Sequence, residues 1–312
     1  MMRTSVRFVS AFFTVALVFS GVSCFWKGGA DASLYARALA HRPWMPPSWH
    51  PAPEHLEVLA SMRTETAPKV RGLSARAVYV FDLDSGRVLV SRAAEERRPV
   101  ASLTKLVTSL AFGSEQPSLD RRACVDFEFW PSRPGARSAL STGECYRGWD
   151  LLGAALVASD NRAAFGLQVI SGLHYADFIQ RMNDVSEDLG MLQSSWADPS
   201  GLEDDNLSTA RDMARAAVAV AMHPVLSMAA AAPVWDIERE EDGRVRRLHS
   251  TDRLVGRPDV EVLAGKTGYT DTAGYCFAGV LEKSSGQRLA VAILGAPRSR
   301  DRWSDVERIL DL

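Results

Sequence analysis

Apolar runs at the two ends of this chain, separated by a long stretch of different periodicity, constrain its fold more than any other feature. Near the C-terminus, Val260–Thr270, Gly274–Leu281 and Arg288–Leu294 read as strands, joined by short Asp271-Thr272 and Ser284-Ser285-Gly286 turns. Connections that short permit only antiparallel neighbours. Far upstream, Ala77–Leu83 (AVYVFDL), a turn at Asp84-Ser85-Gly86 and Arg87–Val90 make another hairpin. The middle has helical spacing: Ala101–Phe112, Leu151–Ala158 with Asp150 as its N-cap, Tyr175–Leu189, and a helix opened by Ser208–Asp212 that runs to His223 and stops at Pro224. Ser299–Asp311 reads as a closing helix. The order predicts an α/β (α+β) fold: an antiparallel sheet built from both chain ends and flanked by helices, with an all-helical insertion between.

The chain is long enough for such a core. It has 312 residues, 46% hydrophobic and 24% charged, with a net charge of −2, so a disordered chain is excluded. A pI near 6.3 gives no electrostatic reason to expect nucleic acid as a partner. Four cysteines and six histidines without CxxC or HExxH spacing imply no metal and no cofactor. Residues 1–24 combine Arg3 and Arg7, an apolar run from Phe8 to about Phe19 and then small residues, the polarity order of a secretory signal. Cys24 after Gly-Val-Ser weakly resembles a lipoprotein cleavage site, which would add an N-terminal lipid anchor; ordinary cleavage is the alternative. Residues 41–55 hold five of the 15 prolines, so residues 25–70 read as a Pro-rich linker and 71–312 as the folded domain. Nothing argues for a C-terminal membrane anchor. The chain is thus expected to be exported to the periplasm or cell envelope.

Three polar motifs stand out against these apolar settings. Ser102-Leu103-Thr104-Lys105 opens the first long helix, and a spacing of three puts Ser102 and Lys105 on one face. A serine hydroxyl is a poor nucleophile until a base takes its proton, and an unprotonated lysine one turn away can do so. Ser159-Asp160-Asn161 lies at a helix–helix break, where Ser159 and Asn161 can face one cleft. Lys266-Thr267-Gly268 sits in a strand, where Gly weakens packing and marks close backbone approach. Each motif alone has an ordinary structural reading: a capping serine with a surface lysine, a capping turn, an edge-strand lysine against aggregation. Their joint order changes the weight. The chain carries 31 Arg and only five Lys, and two of those five fall in these motifs, where Arg cannot serve as a deprotonatable base. The triple is that of penicillin-binding proteins and serine β-lactamases.

From about Ala75 to Leu312 the chain resembles the low-molecular-mass penicillin-binding proteins, the D-alanyl-D-alanine carboxypeptidase family of serine peptidases. Pro99–Lys105 is similar to the family's nucleophile segment, Asp198-Pro199-Ser200-Gly201-Leu202 with Leu207–Ala210 to its D-P-x-G-L…S-T-A stretch, Gly265–Ala278 to its third-motif hairpin, and Ser299–Leu310 to its closing helix. The resemblance implies the β-lactamase/DD-peptidase-like fold and an acyl-enzyme on Ser102, with peptidoglycan stem peptides as substrates and β-lactams as covalent inhibitors. It implies Lys105 as general base, its pKa lowered by desolvation and by Lys266, and Ser159 as proton relay. It implies Asn161, Lys266, Thr267, Gly268 and Tyr269 as substrate-binding residues, with the N–H groups of Ser102 and Tyr269 as oxyanion hole. Two departures occur: Ser250-Thr251-Asp252 stands where the family often has Asn-Thr-Asn, and Asp160, read as a surface cap, stands where a small residue is commoner.

Two rivals follow from the same residues. A serine β-lactamase would need a group to activate the deacylating water, for which Glu203-Asp204-Asp205-Asn206 is the candidate segment. A non-catalytic envelope protein would bind penicillin or peptidoglycan without turnover. Finally, export implies an oxidising compartment, and Cys124 and Cys145 flank a Pro/Gly/Ser-rich stretch of 20 residues. A Cys124–Cys145 disulfide is expected, with Cys276 a buried free thiol.

Overall fold

The structure, a computed structural model, describes residues 53–312 apart from 64, 116, 126–137, 240 and 241. In chain order the elements begin with α1 (Pro53–Ser61), β1 (Ala77–Asp82), β2 (Arg87–Arg92), β3 (Arg98–Pro99), a 3₁₀ turn (Ala101–Leu103) and α2 (Thr104–Ser114). They continue with β4 (Arg122–Cys124), β5 (Cys145–Arg147), α3 (Gly148–Leu156), α4 (Asn161–Ser171), α5 (Tyr175–Asp188), β6 (Leu207–Ser208), α6 (Ala210–Met222) and α7 (Pro224–Ala230). β7 (Val234–Glu238), β8 (Val245–His249), β9 (Val260–Thr270), β10 (Gly274–Lys283), β11 (Arg288–Ala296) and α8 (Ser299–Leu310) complete the fold.

The two chain ends meet in one antiparallel five-stranded sheet, ordered β2-β1-β11-β10-β9. β1 lies inside it, and all six of its residues are buried. Helices cover both faces: α6 packs against β1, β9, β10 and β11, and α8 against β10 and β11. That double cover is why AVYVF runs apolar without alternation. On the α8 side, Trp303, Val306 and Ile309 share a core with Val78, Val80, Phe277, Val291 and Ile293. α2 is the central helix of the helical part, buried from Thr104 to Gly113. β9 is left at the sheet edge, with the 3₁₀ turn beside it.

The folded part begins earlier than the expected Arg71. Pro53 opens α1 at its first position, where a missing N–H costs nothing. Leu59 and Met62 are buried, Arg215 Nη2 donates to Met62 O (3.0 Å) and Tyr79 OH donates to Arg63 O (2.9 Å). The signal and most of the linker lie outside the described residues. Asp150 is not the N-cap of α3; the helix starts two residues earlier, and Asp150 Oδ1 accepts from Glu238 N–H (3.3 Å) at the end of β7. Pro224 does stop α6, but it also begins α7, and His223 Nδ1 caps that helix by accepting from the Val225 and Leu226 N–H groups (both 3.3 Å). The β7–β8 hairpin escaped prediction because Arg244, Arg246 and Arg247 interrupt any apolar alternation, β8 burying only Leu248.

Candidate active site

The turn that carries Ser102 is held in an unfavourable backbone conformation. Ala101 has φ +50°, which costs a residue with a side chain about 1–3 kcal/mol. Two neighbours enforce it by coming too close for anything but glycine. A Cβ on Gly201 would lie 2.0 Å from Ala101 O, and one on Gly268 would lie 2.9 Å from Val100 O and 3.2 Å from Ser102 N. Thr104 Oγ1 donates to Ala101 O (2.8 Å). Ser102 is therefore clamped between the 198–206 loop and edge strand β9.

One turn on, Lys105 is fully buried, with Nζ 2.9 Å from Ser102 Oγ, 2.7 Å from Asn161 Oδ1 and 2.6 Å from Ser200 O. The last two atoms can only accept, so they take two N–H groups of the lysine. In the neutral amine this leaves the lone pair for the Ser102 hydroxyl proton. Burial pushes the Lys105 pKa down to about 7, against the pull of the Asp198 and Asp160 carboxylates. Burial, rather than Lys266, is thus its main cause.

Ser159 joins α3 to α4 at φ +60°, a second strained position. Lys266 Nζ donates to Ser159 Oγ (2.7 Å) and to Thr267 O (2.9 Å). Burial, and then the Lys105 and Arg302 cations, hold the Lys266 ammonium well below its ordinary range, while Asp252 opposes them. Ser102–Lys105–Asn161 and Ser159–Lys266 thus form two hydrogen-bonded groups, near enough for the Lys105 charge to act on Lys266. Thr267 Oγ1 donates to Thr251 Oγ1 (2.7 Å). Tyr269 is half-exposed, stacks on Tyr275 at 4.2 Å between ring centroids, and donates its hydroxyl to Asp271 Oδ1 (2.7 Å).

Several residues around the site take roles that local sequence did not indicate. Asp198 is buried and its two oxygens accept from Ser200 Oγ (2.6 Å), Gly201 N (2.8 Å), Glu203 N (2.6 Å) and Asn206 Nδ2 (2.7 Å), among others. It thereby shapes the loop whose Ser200 carbonyl orients Lys105. Asn206 is equally internal, and Asp204 Oδ2 accepts from Thr272 Oγ1 (2.9 Å) at the β9–β10 turn. Asp252 is buried against Gly265 of β9. Its Oδ1 accepts from Leu254 N–H (2.9 Å), and its Oδ2 abuts Gly265, where a Cβ would lie 2.3 Å away. Burial pushes its carboxyl up to about 6, against the pull of Arg302 and Lys266. Asp160 does cap α4, through Ala163 N–H, but it is 2% exposed rather than on the surface. Cys124 and Cys145 are bonded, and Cys276 is a buried thiol. Among the described residues, no group of His, Cys, Asp and Glu has the grouping of a metal site.

Known proteins resemble this chain over most of its length. A D-alanyl-D-alanine endopeptidase of Escherichia coli is 27% identical over 258 residues, covering 83% of this chain and 82% of that protein. One of Pseudomonas aeruginosa is 31% identical over 210 residues, 67% of each. The crystal structure of a D-alanyl-D-alanine carboxypeptidase from Mycobacterium tuberculosis matches with a TM-score of 0.70 at 25% identity, covering 80% of this chain and 94% of that one. Penicillin-binding protein D2 of Listeria monocytogenes, in its cefotaxime-bound form, matches with a TM-score of 0.65 at 30% identity, covering 78% and 98%. Residues 62–298 match the peptidase S11 family as a whole, and on that span the chain belongs to the D-alanyl-D-alanine carboxypeptidase family.

Proposed function

We propose that this protein is a serine-type D-alanyl-D-alanine peptidase that cleaves D-Ala-D-Xaa bonds in peptidoglycan stem peptides through an acyl-enzyme on Ser102. The observation that carries this reading is the placement of Lys105 Nζ 2.9 Å from Ser102 Oγ, with its N–H groups directed to Asn161 and Ser200. Neutral Lys105 takes the Ser102 proton as Oγ attacks the D-Ala carbonyl carbon. The N–H groups of Ser102 and Tyr269 stabilise the oxyanion, each by about 3–4 kcal/mol. The tetrahedral intermediate then expels the D-Xaa amine, which receives its proton through Ser159, and water hydrolyses the ester to regenerate Ser102. Asn161 and Thr267 orient the substrate, Thr267 toward its terminal carboxylate. That carboxylate, arriving beside Lys266, favours the ammonium that burial disfavours, so substrate binding itself restores the local positive charge. β-Lactams acylate Ser102 in the same way. Residues 1–24 direct the chain to the cell envelope, with lipidation at Cys24 the alternative to ordinary cleavage.

The β-lactamase reading is not favoured by the site. Asn206 and Asp204, in the candidate deacylation segment, are engaged in holding Asp198 and Thr272. The test is mass spectrometry of products from purified muropeptides. Loss of terminal D-Ala identifies carboxypeptidase action, and conversion of cross-linked dimers to monomers identifies endopeptidase action. An unchanged muropeptide pool with fast nitrocefin turnover contradicts the proposal.

The lysine also fixes a pH dependence. Below its pKa of about 7, Lys105 is protonated and cannot accept a proton; above it, the amine is free. Acylation by a penicillin therefore rises with pH through about 7 and then levels. Stopped-flow acylation rates across that range check this, and a flat or falling profile contradicts it.

A further inference from the structure

Asp160 makes more hydrogen bonds than a helix cap needs. Its Oδ1 caps α4 by accepting from Ala163 N–H (3.2 Å), which Asn or Ser can do as well. Both oxygens also accept from Ser138 Oγ (2.9 Å each), and Oδ2 accepts from Ala139 N–H (2.6 Å). In the first turn of α4, Arg162 Nη1 donates to Leu140 O (2.5 Å), and Leu140 is buried. The residue between Ser159 and Asn161 is thus tied to a segment more than 20 positions upstream.

That segment is itself fixed at its far end. β4 and β5 pair through Cys124↔Cys145, which the disulfide joins covalently. Glu144 accepts from Arg239 Nη1 (2.6 Å), Ser141 N–H (3.1 Å) and the Tyr146 hydroxyl. Arg239 follows β7, and the β7–β8 hairpin leads into Thr251, whose N–H donates to Val157 O (3.1 Å) just before Ser159. Residues 138–147 therefore touch the second motif directly and the approach to Thr251 through Arg239. Ser159, at φ +60°, needs such support, because a strained residue persists only where its surroundings over-determine it.

We propose that Asp160 is a positioning residue that fastens Ser159 and Asn161 to a disulfide-stapled brace, Ser138–Arg147, so that opening the Cys124–Cys145 bond slows acylation of Ser102 while the domain stays folded. This rests on the Ser102 acyl-enzyme reading. A dithiol reductant converts the bond to two thiols and is itself oxidised to its cyclic disulfide; Cys276, buried and unpaired, is unaffected.

The experiment measures fluorescent-penicillin acylation of the full chain in oxidised, reduced and reoxidised form, and in the Cys124→Ser/Cys145→Ser variant, with circular dichroism for folding. Reduction and the double variant should each slow acylation about tenfold or more, and reoxidation should restore only the former. Asp160→Asn keeps a capping oxygen but gives up the second anionic acceptor. Its loss should not add to that of the cysteine variant. It should also lower the pH midpoint of acylation, because the Asp160 and Asp198 carboxylates hold the Lys105 pKa up against burial, with Lys266 the neighbouring cation, and one of the two anions is gone. The cysteine variant keeps that charge and should leave the midpoint in place. A folded cysteine variant that acylates at the wild-type rate overturns the brace, as does full additivity with Asp160→Asn. A wild-type protein that no penicillin labels overturns the acyl-enzyme reading and the brace with it.

Discussion

Replacing Lys105 by Arg removes penicillin labelling of Ser102 by about three orders of magnitude or more, the scale of a lost general base. The guanidinium keeps a positive charge near Asn161 Oδ1 and Ser200 O, the two acceptors that lie 2.7 and 2.6 Å from Lys105 Nζ, but it cannot give up a proton near neutral pH. Lys266→Arg serves as the internal comparison. Lys266 is proposed to supply charge toward the substrate carboxylate, so Arg should retain measurable labelling, reduced because the buried site around Ser159 Oγ and Thr267 O is shaped for a slimmer group. The check is the labelling rate of each purified variant, with circular dichroism for folding. Equal labelling rates in the two variants contradict the assignment of Lys105 as the base.

Gly201→Ala should be nearly as damaging, although Gly201 has no side chain to contribute. Its φ is +84°, and a Cβ there would meet Ala101 O at 2.0 Å and Ala101 C at 2.4 Å. Both obstacles are backbone atoms of the nucleophile turn, so relief requires that turn to move and Ser102 to leave its place beside Lys105. We expect a stability loss of about 3 kcal/mol or more and a fall in acylation of about 100-fold. Gly86→Ala separates the two contributions. Gly86 also has positive φ (+68°) but nothing within 4 Å of the added Cβ, so it should lose about 1 kcal/mol and acylate normally. Thermal unfolding together with labelling rates decides this, and a Gly201→Ala protein as active as Gly86→Ala would show that the turn is not clamped.

The strands of the five-stranded sheet and the motif residues were legible in the sequence for a common reason: both depend on local pattern. β9 spans Val260–Thr270 as the apolar run predicted, and the motif serines and lysines announce themselves by type and spacing. That burial lowers the Lys105 pKa was expected, but what orients the lysine was not legible. Asp198 and Ser200 lie more than 90 positions away; the resemblance picked out their stretch, but only the fold shows it buried with the Ser200 carbonyl turned to Lys105. Asp252 is similar: it stands where the family often has Asn, and only the fold shows it set against Gly265. Asp160 was readable as a cap because capping is local, but its contacts to Ser138 and Ala139 are not. The helix at Pro53 was hidden by the prolines around it, whose density argues against helix everywhere except at a first position.

The central claim is that Ser102 becomes acylated, and intact-mass spectrometry with peptide mapping tests it most directly. After brief exposure to a penicillin, the account predicts one adduct per chain, located on the peptide containing Ser102. It predicts persistence far beyond the time of stem-peptide turnover, because the opened ring stays tethered and blocks water from the ester. Ser102→Ala should carry no adduct. An adduct on another residue, retention of labelling in Ser102→Ala, or release as fast as peptide turnover would contradict the account.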